Sequence, residues 1–122
     1  MNRGILLFAG ALLAVSVAAC SKLAGDGSER AGANRSAPEL MEQYGCPACH
    51  VIPQVPGAVG KAGPSLKALD QRSLVAGILP NTPENLKQWI MHPQHFQPGT
   101  AMPEMGVTEQ DATRIARFLE SR

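Results

Sequence analysis

The sequence predicts an all-α domain of three to five short helices, and three observations carry that prediction. Helix-start signals recur: Ser36-Ala37-Pro38-Glu39, Thr82-Pro83-Glu84 and Thr108-Glu109-Gln110-Asp111 each set a capping hydroxyl ahead of an acid in the first turn. Apolar residues then follow at helical spacing, most plainly Ala112, Ile115, Ala116 and Leu119. Between these stretches, in 51–62 and 93–103, prolines and glycines break every regular period.

Each element can be argued in turn. The helix opened by Ser36 offers Leu40, Met41 and Tyr44 as an apolar edge, and Gly45 lets the backbone turn before Cys46. Leu74, Val75, Ile78 and Leu79 stand at offsets suited to a short helix over 72–79, ended by Pro80. Thr82 then caps a helix running to Met91 or His92, with Leu86, Trp89 and Ile90 inward. The last helix carries acids at its start and Arg117 and Arg122 toward its end, both favourable to the macrodipole.

Ahead of this domain lie two segments of different character. Residues 1–19 hold one early cation, Arg3, and a charge-free apolar run too short for a bilayer span, the pattern of a signal peptide. Val17-Ala18-Ala19-Cys20 resembles a bacterial lipobox, which implies that Cys20 is acylated and that the chain is exported and lipid-anchored on the periplasmic or outer side of a membrane. Residues 20–36, small and polar, read as a flexible tether, leaving 37–122 as the folded domain. That domain carries seven lysines and arginines against eight acids, so no clustered basic face suggests a nucleic acid. Aromatic content is only 4%. So small a core is marginal alone, and a large buried cofactor would supply apolar volume.

The chemistry centres on Cys46-Pro47-Ala48-Cys49-His50. Two thiols three positions apart, followed by an imidazole, form the C-x-x-C-H pattern of covalent haem attachment, with the sulfurs on the porphyrin vinyls and His50 on the iron. A thioredoxin-like disulfide would want a preceding strand, and a zinc site a second cysteine pair. Further on, Thr100-Ala101-Met102-Pro103 offers a soft thioether, with Met105 as its rival. His92 and His95 read as surface histidines, and Met41 and Met91 as core fillers.

Gly63-Pro64-Ser65-Leu66, together with that motif and the Met-Pro pair, resembles the class I cytochromes c of small bacterial type, including domains appended to terminal oxidase subunits. The resemblance runs from about Ala37 to Arg122 and implies a class I fold wrapped around one covalent haem c. It implies that the Pro64 carbonyl accepts the other nitrogen of His50, that Arg72 meets a propionate, and that Met102 is the second axial ligand. Trp89 meets a propionate or simply packs in the core. Ala68 departs from the family, where many members have glycine. The resemblance implies a membrane-tethered electron carrier, not an enzyme, exchanging electrons with a terminal oxidase or dehydrogenase and taking no small-molecule substrate. The alternative is a haem enzyme or a gas or peroxide sensor with a labile methionine.

Overall fold

The computed structural model describes residues 35–121. The signal peptide, Cys20 and the tether to residue 34, like Arg122, lie outside the described residues.

The first helix, α1 (Ala37–Gln43), starts where its capping box places it. Ser36 accepts from the Glu39 amide, and the Glu39 carboxylate accepts from the Ser36 amide at 2.7 Å. That backbone hydrogen bond is the main reason the Glu39 carboxyl sits below its ordinary value. Leu40 and Met41 are fully buried, worth about 1.5–3 kcal/mol each by transfer. A one-turn 3-10 helix at Cys46–Ala48 follows, and a second covers Leu69–Gln71.

The all-α class I cytochrome c architecture expected from sequence is corrected at this point. Residues 72–79 form no helix: β1 (Leu74–Val75) and β2 (Leu79–Pro80) make a small antiparallel sheet, with Leu74 opposite Pro80 and Val75 opposite Leu79. The cause is local. Ala76 and Gly77 both take positive φ, 53° and 76°, and the Ile78 amide donates to the Val75 carbonyl at 3.1 Å, closing a tight turn of the kind that joins antiparallel strands. The fold is therefore helical with a two-stranded hairpin inserted. Asn81 braces it, its side-chain amide donating to the carbonyls of Leu69 at 2.8 Å and Arg72 at 2.9 Å.

Helix α2 (Pro83–Met91), capped by Thr82, buries Leu86, Trp89 and Ile90. A single turn, α3 (Pro93–Phe96), follows, and an irregular stretch leads to α4 (Glu109–Glu120), capped by Thr108. Ala112, Ile115, Ala116 and Leu119 of α4 are buried against α1 and α2. The Tyr44 hydroxyl at the end of α1 donates to the Asp111 carboxylate at 2.7 Å, joining the first helix to the last. Lys87 reaches from α2 to Glu109 at 3.1 Å while also meeting Glu84 at 2.9 Å. Among the described residues no helix is long and apolar enough to cross a membrane.

Candidate functional site

Gly45 ends α1 in the left-handed region, at φ 76°, a conformation that costs glycine little and L side chains more. The chain then curls so tightly that the amides of Cys49 and His50 both donate to the Cys46 carbonyl, at 3.2 and 3.1 Å. This curl brings both thiols and the imidazole to one wall. Cys46 and Cys49 are free thiols. Burial pushes the Cys46 thiol above its ordinary value, the opposite of what an attacking thiolate of the thioredoxin kind requires.

The His50 ring is gripped from the next loop. Its Nδ1 lies 2.7 Å from the Pro64 carbonyl oxygen. A carbonyl only accepts, so Nδ1 carries the proton and Nε2 keeps a lone pair for a metal. Gly63 wraps closely around the ring: a Cβ at this position would stand 2.4 Å from His50 Cε1. Its amide donates to the Cys49 carbonyl at 2.7 Å, tying the loop to the motif. Gly60 is just as tight, with room for no Cβ beside the Ala48–Cys49 backbone.

A cavity of about 800 Å³ opens before this wall. Cys46, Cys49, His50, Pro64, Arg72, Trp89 and Met102 all line it, together with Met105 and a majority of aliphatic side chains. The Arg72 guanidinium donates to the Ser65 carbonyl and, at 3.4 Å, to that of Lys67, which braces the segment bearing Pro64. Trp89 is almost fully buried in the core cluster. His92 and His95 are exposed and take no part in the cavity wall. Among the described residues no three His, Cys, Asp or Glu side chains gather as a metal site, so a metal here depends on a mixed donor set such as imidazole and thioether.

One residue of this region had no sequence signal. Gln94 lies beside the loop that carries Met102 and spends its whole side-chain amide on it. A glutamine in a proline-rich stretch follows no period and no motif, and its partners are main-chain groups.

The chain is similar to cytochrome c oxidase subunit 2. The relative from Alkalihalophilus pseudofirmus is 33% identical over 85 residues, which cover 68% of this chain and 24% of that one. Those from a Bacillus species and from Bacillus subtilis are each 30% identical, over 87 and 80 residues. The chain spans about a quarter of the length of the curated relatives it matches. No family description matches the chain, and neither does any solved structure.

These relatives correct three expectations. They are named as oxidase subunits and not as class I cytochromes c, so that membership is replaced by likeness to a respiratory-chain redox subunit. They belong to an enzyme complex, which overturns the expectation of a carrier that is no part of an enzyme. The covalent haem c expected at Cys46, Cys49 and His50 is likewise overturned by relatives that are oxidase subunits 2, and it is not carried forward as the cofactor of this chain.

Proposed function

We propose that the folded domain passes single electrons within a respiratory terminal oxidase, or between that oxidase and its donor. The observation that carries this reading is the joint placement of His50, with Nε2 available, and Met102, a soft thioether, on one large apolar cavity that also holds two free thiols. The match over about a quarter of oxidase subunit 2 supports it, since that proportion suits a domain appended to a larger subunit.

The residues would offer a redox-active metal an imidazole from His50 and a thioether from Met102. Such a metal would supply a reversible one-electron change. The chain supplies the rest. Cys46 and Cys49 would stand beside the metal as free thiols on the same wall, and the Pro64 carbonyl orients the imidazole through the Nδ1 proton. Arg72 holds the Pro64 segment in place and offers positive charge at the wall. Trp89 and the aliphatic lining keep water away, so little solvent reorganises when the charge changes. Methionine favours the reduced metal and so favours electron acceptance.

Cys20 acylation would place this domain on the outer side of a membrane, with 20–36 as its tether and 37–122 as the working unit. The redox partners would be the neighbouring subunits of the oxidase or the dehydrogenase feeding it. The test is a chain purified from an aerobically respiring host, with metal analysis separating iron from copper and a potentiometric titration following the optical spectrum. One metal-bearing group per chain, one reversible wave, and a lower potential in Met102→Ala are expected. A chain that binds no redox group under these conditions refutes the proposal.

A further inference from the structure

Three methionines line the cavity, Met41 on α1 and, only three residues apart, Met102 and Met105. A thioether on either of the latter two could reach a metal if the loop between Gln97 and Val107 were free to shift. From the bonds that hold this loop we infer that Gln94 is a positioning residue that presents Met102, and not Met105, to the metal. The inference rests on the function proposed above.

Gln94 sits on the single turn α3 and is half-buried. Its Nε2 donates to the Thr100 carbonyl at 2.8 Å and to the Met102 carbonyl at 2.7 Å, while its Oε1 accepts from the Gly99 amide at 3.1 Å. All three partners lie on the Met102 loop. The orientation of the amide follows from chemistry: flipped, it would set an oxygen against two carbonyls and an NH2 against an N–H. The loop has little else to hold it. Its prolines at 98 and 103 cannot donate, and among the described residues its backbone bonding ends with Thr100 donating to Gln97 at 3.0 Å. A second tie serves the same end, the main-chain amide of Gln94 donating to the Glu104 carboxylate at 3.2 Å, on the far side of Met102. The Met102 carbonyl is therefore held directly by Gln94, whereas Met105 lies beyond both ties.

The experiment labels the methionine methyl groups of the loaded chain with carbon-13 and follows them by NMR. Parent protein, Met102→Ala, Met105→Ala, Gln94→Leu and Gln94→Glu are compared, with potentials measured in parallel. A metal-bound methyl leaves the envelope of free methionine methyls. The parent is expected to show one displaced methyl, assigned to Met102 by its loss in Met102→Ala. In Gln94→Leu that signal should weaken several-fold and a second, lost in the added Met105→Ala change, should appear. Gln94→Glu, which keeps the size but sets a carboxylate against two carbonyls, should do the same, with the Met102 signal recovering as the carboxyl is protonated; it is read alone if Gln94→Leu does not fold. A Met102 signal and potential unchanged in both Gln94 variants overturn the inference and leave the proposed function standing. A parent with no displaced methyl from Met102 overturns the ligand set and this inference with it.

Discussion

Replacing Gly63 with alanine tests the grip on His50 most directly. The backbone there takes no positive φ, so the added methyl brings no left-handed strain. The difficulty is space. The new Cβ would stand 2.4 Å from Cε1 and 2.8 Å from Nδ1 of the imidazole. Carbon atoms rest at about 3.5 Å or more, so roughly 1 Å must be found by moving either the ring or the loop. Moving the ring breaks its 2.7 Å bond to Pro64, and moving the loop breaks the 2.7 Å bond from the Gly63 amide to Cys49. Overpacking costs about 1–3 kcal/mol and a lost hydrogen bond about 1 more, giving about 2–4 kcal/mol in all. For a domain of this size each kcal/mol lowers Tm by about 4–8 °C. Thermal unfolding of Gly63→Ala should thus fall by about 10 °C or more relative to the parent, with the His50 ring resonances shifted. Gly57→Ala is the control: at φ 73° it carries backbone strain, but nothing lies within 4 Å of its Cβ. It should cost only about 1 kcal/mol. Equal losses in the two variants would mean that the close packing around His50 is not what Gly63 provides.

Three further outcomes follow from the geometry. Ala68 opens the second 3-10 turn at φ 50°, where L side chains are strained, so Ala68→Gly should stabilise by about 0.5–1 kcal/mol after the greater freedom of glycine in the unfolded chain is deducted; a lower denaturant midpoint at unchanged slope would contradict this. The only tyrosine, Tyr44, is pushed above its ordinary value by burial first and by its bond to Asp111 second. A raised pKa means that the folded state favours the neutral phenol, so this contribution is complete below the unfolded tyrosine value and is lost as pH climbs through the folded one. Phenolate absorbance should therefore rise only at a pH above that of free tyrosine. Tyr44→Phe should cost about 1.5–3 kcal/mol in urea unfolding, as expected for a hydrogen bond to a charged partner.

Much of the helical frame was legible because its signals are local. Ser36 with Glu39, Thr82 with Pro83 and Thr108 ahead of Asp111 specify starts by chemistry confined to one turn, and each cap bond is present. The stretch over 72–79 misled because offsets 0, 1, 4 and 5 suit a helix, and nothing in the residue type announces that Ala76 will adopt a positive φ. The positive φ of Ala76 and Gly77 decided that turn, and with it the loss of an all-α fold. The wall of the cavity was legible where residues cluster in a motif, as in 46–50, and where a proline follows a glycine, as in 63–64. Gln94 and Asn81 were not, because each serves main-chain carbonyls that any sequence would supply. The motif at 46–50 suggests a covalent haem, and the likeness to oxidase subunits that overturns it spans 80–87 residues and not those five.

The bond from Tyr44 to Asp111 spans 67 positions, and the helices it joins are the first and last of the domain. α1, which carries the fully buried Leu40 and Met41, packs against α4. Closure between these two helices is thus a contact of long sequence separation, which forms late whatever order the middle assumes. A polypeptide exported before folding would gain from such late closure, since it would stay threadable until the two helices meet.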